Sequence, residues 1–230
     1  KYALPDITLT APIPKPARNI FCVGRNYYDH IMELNDEAEA ELRKKHPVFF
    51  TKATESANSP YGDIQSHKNT TAMLDYEVEL AVIIGKKGTD ISPENAASYI
   101  FGYTVLNDIS ARDLQENHLQ WVKGKGLDTA CPMGLCVVER KDIADPQNLA
   151  LSCYVNGERR QYSNTGLMMW RIDQLISVLS TGMTLLPGDI LATGTPGGVG
   201  LGMIPPHFLK PGDIVSCEVE GIGKIKNRIV

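Results

Sequence analysis

No apolar run in this 230-residue chain approaches the ~20 residues needed to cross a bilayer, and its first residues show no signal-peptide pattern. Charge of one sign is also missing. A net charge of −4 and a pI near 5.8 leave no broad basic field, which excludes nucleic acid and anionic membranes as partners. The five cysteines (Cys22, Cys131, Cys136, Cys153 and Cys217) are odd in number and show no Cys-x-x-Cys spacing. That argues against a disulfide scaffold or a zinc site, and they read as buried, reduced thiols of a cytoplasmic protein. Repeat architecture is absent too: Leu186-Pro-Gly-Asp-Ile190 nearly recurs at Lys210–Ile214, but nothing around the two copies matches. The chain starts at Lys1 and not at methionine, so a longer parent chain remains an open expectation.

What is present is glycine (20), proline (14) and 43% hydrophobic residues, the usage of a turn-rich, strand-rich globular domain with a sizeable core. Residues 1–18 carry four prolines and read as an edge strand and linker, ahead of one domain over residues 19–230. Strands are expected at Ile20–Gly24, Pro47–Thr51, Tyr76–Ile84 and Ile100–Ile109. Asn156-Gly157 suits both central positions of a type I′ hairpin, and each Pro-Gly-Asp turn should feed a strand. Asp29 to Lys45 reads as a mobile helix with a thin apolar stripe, and Pro93–Tyr99 as a short helix. A further helix puts Met168, Ile172, Leu175, Ile176 and Leu179 on one face and stops at Gly182. The fold class is mainly β with a few short helices (α+β).

Glu77 and Glu79 occupy one face of the clearest strand, with Cα atoms ~6.6 Å apart at the usual rise per residue. Both faces turn apolar beyond Leu80, so the strand is expected to be buried on both sides. Two carboxylates at its mouth then require a counter-charge. Asp108, at the end of the Ile100–Ile109 strand, offers a third acid. An all-oxygen set favours Mg²⁺, Mn²⁺ or Ca²⁺ over zinc. His30 and Glu33, at helical i and i+3 positions, can pair so that the carboxylate orients the imidazole as a general base. Arg112 and Gln115 can share a helical face. The run Thr193–Gly200 is rich in glycine, but no helix can follow it, which excludes a dinucleotide fingerprint; its backbone N–H groups and Thr195 could instead meet a small carboxylate. Lys125 lies in a glycine-flanked loop.

In order along the chain, CVGRNYYDHIMELN, DYEVELAVIIGKKG, LNDISARDLQ, WVKGKGLDTACPMG, VNGE, PGDILATGTPGGVGLG and FLKPGDIVSCEVEGIG resemble the fumarylacetoacetate hydrolase family. The likeness is strongest to its small acylpyruvate-hydrolase-like and hydroxyheptadiene-dioate-isomerase-like members. The resemblance implies a β-roll or sandwich catalytic domain, a homodimer, and one Mg²⁺ or Mn²⁺ held by Glu77, Glu79 and Asp108. It implies a catalytic His30–Glu33 dyad with Lys125, and substrate contacts from Arg25, Lys52, Arg112, Gln115 and Thr195, the last with a carboxylate. The expected substrate is a small 2-oxo or dicarboxylic acid. The leading expectation is hydrolysis of a C–C bond in a 2,4-dioxo acid through a metal-stabilised enolate. Double-bond isomerisation of a hydroxy-diene-dioate, or oxaloacetate decarboxylation, uses the same site. A sugar-acid dehydratase or a non-catalytic binding module is less favoured, because ligands and dyad are all present.

Overall fold

The computed structural model describes residues 7–34 and 37–230. Among the described residues thirteen strands run in chain order: β1 (Ile20–Gly24), β2 (Val48–Lys52), β3 (Ala57–Asn58), β4 (Leu74–Asp75), β5 (Val78–Ile84), β6 (Ile100–Asn107), β7 (Ser110–Ala111), β8 (Cys131–Glu139), β9 (Ala150–Val155), β10 (Glu158–Asn164), β11 (Ile190–Ala192), β12 (Ile214–Val219) and β13 (Gly223–Arg228). Six short α-helices accompany them among the described residues: α1 (Tyr28–Met32), α2 (Glu37–Arg43), α3 (Pro93–Ala96), α4 (Arg112–Asn117), α5 (Val122–Lys125) and α6 (Ile172–Ser180). A seven-stranded sheet has the order β2-β1-β11-β5-β6-β8-β3, a four-stranded sheet β10-β9-β12-β13, and β4 pairs with β7.

β5 lies in the middle of the large sheet, and every one of its residues is buried. Val78, Leu80, Val82 and Ile84 pack with Leu151, Cys153, Val215 and Cys217 of the four-stranded sheet. Ala81 and Ile83 face a second core with Ile20, Cys22, Leu106 and Met133. Period-two alternation thus feeds two cores, which is why both faces of this strand read as apolar. No described helix is long and apolar enough to cross a membrane.

The turns follow their local chemistry. Asn156 (φ 53°) and Gly157 (φ 84°) adopt the positive φ values that a type I′ hairpin between β9 and β10 needs. In the two Pro-Gly-Asp turns the aspartate closes the loop, since Asp189 accepts from Leu186 N (2.7 Å) and Asp213 from Lys210 N (2.9 Å).

Four expectations change. The edge strand expected within residues 1–18 is absent over residues 7–18, where Pro12, Pro14 and Pro16 have no N–H to give a ladder; residues 1–6 lie outside the described residues. The single helix expected over Asp29–Lys45 is two helices: α1 ends at Met32 and gives way to a turn at Glu33-Leu34, α2 begins at Glu37, and residues 35–36 lie outside the described residues. α6 starts at Ile172 and not at Met168, because Gln174 Oε1 accepts the Arg171 N–H and caps the helix there. Four of the cysteines are buried, but Cys136 is exposed on β8.

Candidate active site

β6 runs antiparallel to β5 with Val78 opposite Asn107, so the chain leaving β6 turns back along Glu77. Asp108 N donates to Glu77 O (2.9 Å), and Glu77 N donates to Asn107 Oδ1 (3.0 Å). This register brings ligand oxygens of Glu77, Glu79 and Asp108 within 4.8 Å of one another, and all three residues are buried.

Such a cluster holds together only through counter-charge. Lys125 Nζ bridges Glu77 Oε2 (2.7 Å) and Asp108 Oδ2 (2.9 Å). Lys52 Nζ reaches Asp108 Oδ1 (2.7 Å) and Ile109 O (3.0 Å), and Arg112 pairs with Glu77 Oε1 at 2.7 Å. Burial alone would push the Glu77 carboxyl up, but Lys125 and Arg112 outweigh it and hold it down at about 2. Lys125 is pulled down by burial and more strongly up by Asp108 and Glu77, so it stays charged. Glu79 differs. Its Oε2 accepts from Gly194 N (2.7 Å), yet it joins no ion pair among the described residues. Burial, then Asp108 and Glu77, push its carboxyl well above the usual range.

With Asp75 included, four buried carboxylates face three side-chain cations, and the uncompensated charge falls on Glu79. A divalent cation would compensate it, and the oxygen-only donor set suits Mg²⁺, Mn²⁺ or Ca²⁺. The residues therefore fit a divalent metal.

The dyad is assembled beside these acids. His30 on α1 is buried, and its Nδ1 lies 2.7 Å from Glu33 Oε1. Glu33 Oε2 accepts from Gly198 N at 2.7 Å, which fixes the carboxylate from its other side. Since the carboxylate can only accept, Nδ1 carries the proton, and Nε2 keeps the basic lone pair.

Arg112 opens α4; its Nε donates to Asp75 Oδ2 at 3.0 Å, Nη2 lies 3.0 Å from the same oxygen as a charge contact, and Nη1 donates to Gln115 Oε1 at 3.2 Å. The Asp75 carboxylate also accepts from Tyr76 N, Gly200 N and Leu201 N. The glycine-rich loop after β11 therefore turns its N–H groups at 194, 198, 200 and 201 toward the protein's own Glu79, Glu33 and Asp75. The expectation that the loop presents its N–H groups to a substrate carboxylate is thus corrected at these four positions, which are bonded to the protein's own acids. The loop needs glycine for close approach: a Cβ on Gly198 (φ 102°) would come within 2.1 Å of Arg160 O. Gly198→Ala is expected to destabilise the fold by about 2 kcal/mol or more and to lower kcat, because relieving the clash with Arg160 O moves the residue-198 N–H away from Glu33. Thermal unfolding beside steady-state kinetics checks this, and an unchanged kcat would break the link from loop to dyad.

A cavity of about 310 Å³ is lined by Arg25, His30, Glu77, Arg112, Gln115, Lys125 and Thr195, so seven of the residues expected at a site share one space. Its apolar wall includes Phe50 and Trp121, packed edge to face with centroids 5.2 Å apart. Arg25, in the left-handed region (φ 56°), lies over Trp121 and pairs with Glu39 of α2 at 2.9 Å. Two expected contacts look different in three dimensions. Lys52 is fully buried, is not part of the cavity wall, and props Asp108 from behind. Thr195 lines the cavity, but its one hydroxyl proton goes to Val78 O (2.9 Å), so a carboxylate there would have to meet another donor. Asp75, Trp121 and Gln161 were not picked out from the sequence as site residues. For Asp75, a third acid two residues before Glu77 was the available signal.

The family model described as fumarylacetoacetate (FAA) hydrolase C-terminal matches residues 19–230. The chain belongs to the fumarylacetoacetate hydrolase family. Like other family members of known structure, it builds its site on a mixed α+β fold with few short helices. This family member is 49% identical over 229 residues to an oxaloacetate tautomerase of Bacillus subtilis (strain 168), a match covering 99% of this chain and 75% of that protein. Among solved structures it resembles a fumarylacetoacetate hydrolase from Exiguobacterium antarcticum, with a TM-score of 0.87, 44% identity, and coverage of 96% of this chain and 77% of that one. It also resembles a fumarylpyruvate hydrolase from Pseudomonas aeruginosa solved with Mn²⁺ and pyruvate, with a TM-score of 0.82, 31% identity, and coverage of 94% and 91%. The family is thus enzymatic and embraces both tautomerases and hydrolases.

Proposed function

We propose that this protein is a divalent-cation-dependent tautomerase that interconverts the keto and enol forms of oxaloacetate. The observation that carries the reading is the meeting of the Glu77–Glu79–Asp108 cluster, the His30–Glu33 dyad and Arg112 around one cavity. At about 310 Å³ that cavity lies at the small end of ligand sites, which suits a four-carbon diacid. The B. subtilis relative, named as an oxaloacetate tautomerase, supports the same substrate. The fumarylpyruvate hydrolase solved with Mn²⁺ supports Mg²⁺ or Mn²⁺ as the ion.

When bound, the cation supplies Lewis-acid polarisation of a 2-oxo group and so acidifies the neighbouring C–H. The chain's own residues do the rest. His30 Nε2 takes the proton from C3, and the Glu33 carboxylate stabilises the imidazolium that results. The His30 imidazolium returns that proton to the 2-oxo oxygen and is neutral again, while Lys125, which stays charged throughout, faces the negative charge that develops there. Arg112 and Gln115, locked to each other and to Asp75, orient a carboxylate. Phe50 and Trp121 limit water around the reacting carbon.

Hydrolysis of acylpyruvates is the second reading, favoured by the same dyad. A basic Nε2 backed by a carboxylate can deprotonate water as well as a C–H. Purified protein loaded with Mg²⁺ or Mn²⁺ separates the two. Enol decay of oxaloacetate followed by ultraviolet absorbance should accelerate and should stop with EDTA, whereas pyruvate release from acylpyruvates would move the assignment to hydrolysis. No acceleration with either metal would remove the tautomerase reading. His30→Ala is expected to lower turnover by about 10²–10⁴-fold while leaving Mn²⁺ affinity within about twofold. A wild-type rate in that variant would remove His30 from the chemistry.

A further inference from the structure

β11 pairs with β5 only as far as Ala192 opposite Ala81, then leaves to form the glycine loop that holds Glu79, Glu33 and Asp75. Thr193 N gives the last main-chain bond, to Leu80 O at 3.1 Å, and the edge at Val78, where β5 begins between the two glutamates, has no ladder partner on that side. The backbone of Val78, between Glu77 and Glu79, is completed by side chains instead.

Gln161 reaches in from β10 of the other sheet and is 1% exposed. Its Oε1 accepts from Val78 N at 3.0 Å, and its Nε2 donates to Thr195 Oγ1 (2.9 Å) and Pro196 O (2.8 Å). Thr195 Oγ1 closes the ring by donating to Val78 O at 2.9 Å. The chemistry leaves no freedom in these directions. Val78 N and Pro196 O can only donate and accept respectively, so the amide cannot be flipped, and the Thr195 proton has to point at Val78.

We propose that Gln161 is a positioning residue for the metal-binding acids. Through this closed ring it sets the backbone between Glu77 and Glu79, and with it the separation of their carboxylates, and it fixes which way Thr195 presents its hydroxyl. It touches neither the acids nor the cavity, and it acts entirely through Val78 and Thr195. The proposal rests on Glu77 and Glu79 as metal ligands but not on the identity of the substrate.

The test is Mn²⁺ affinity, read by paramagnetic resonance of free Mn²⁺ without substrate, on Gln161→Leu and Gln161→Glu. Leucine removes both halves of the ring and should weaken Mn²⁺ binding about tenfold or more, with a matching fall in kcat. Glutamic acid keeps an acceptor for Val78 N, and once protonated a donor for Pro196 O; it should recover Mn²⁺ affinity to within about threefold of wild type. Folded Gln161→Leu with wild-type Mn²⁺ affinity overturns the proposal. Should Gln161→Leu fail to fold, Gln161→Met decides, because it fills the space without an amide for Val78 N, Thr195 Oγ1 or Pro196 O: a folded protein about tenfold weaker for Mn²⁺ supports the proposal, and wild-type Mn²⁺ affinity overturns it. Wild-type protein that binds no Mn²⁺ would instead break the metal reading itself, and binding without oxaloacetate turnover would break only the substrate assignment.

Discussion

Glu79→Gln is expected to lower kcat/KM by about 10³-fold and to make the metal-free protein more stable. Four buried carboxylates share three side-chain cations, and Glu79 has no ion-pair partner among the described residues. Glutamine keeps the volume and still offers Oε1 to Gly194 N, but it removes the charge that burial, Asp108 and Glu77 all disfavour. The gain should be about 1–2 kcal/mol, or a few degrees in Tm for a chain of this length. Function moves the other way. Losing one anionic ligand of three should weaken Mn²⁺ binding by orders of magnitude and lower kcat/KM by about 10³-fold, the scale of several kcal/mol of Lewis-acid stabilisation. The stability order should then reverse when metal is added. Wild type gains about 2.7 kcal/mol at a cation concentration a hundred times Kd, and the variant gains little. Calorimetry in EDTA and in Mn²⁺, beside the oxaloacetate assay, measures all three effects. A variant with wild-type Mn²⁺ affinity would take Glu79 out of the ligand set.

Lys52→Met should produce the largest loss of stability. The ammonium is fully buried and contacts Asp108 Oδ1 and Ile109 O, with no face on the cavity. Methionine fills the space but leaves Asp108 with Lys125 alone against the neighbouring acids. Removing one partner of a buried pair costs about 3–5 kcal/mol, which lowers Tm on the order of 10 °C. The measurement also separates this role from the one implied by resemblance. A lysine that met substrate would, on replacement, raise KM and leave Tm nearly unchanged. A buried prop lowers Tm and metal affinity together, and that is the expected pattern. A wild-type Tm with raised KM would return Lys52 to the substrate side.

The part of the site that was legible in the sequence is the part governed by short-range geometry. Glu77 and Glu79 had to share a face because strand side chains alternate, and His30 could touch Glu33 because residues three apart meet on a helical turn, a contact that survives although α1 ends at Met32. Arg112 and Gln115 follow the same rule on α4. The Asn156-Gly157 hairpin and the two Pro-Gly-Asp turns were equally local. The expectation of one long helix over Asp29–Lys45 fails at the turn Glu33-Leu34 that follows α1, and that of an edge strand fails over residues 7–18, where prolines remove its donors.

What the chain by itself determined, then, is the chemical inventory and its near-neighbour pairs: acids alternating along a strand, a His–Glu pair one helical turn apart, and a glycine-rich loop. Only the tertiary structure decided how they are used. The register of β6 on β5 turned Asp108 toward Glu77, and the loop 165 residues from Glu33 and 125 from Asp75 gave its N–H groups to those acids rather than to a substrate. Lys52 became a prop, and Gln161, 83 residues beyond Val78, completed the strand edge that β11 abandons. The physical reason is reach. Bond geometry correlates residues within a turn or a strand pair, whereas partners this far apart in sequence meet only once the sheets have packed and each buried polar group has found a donor or an acceptor.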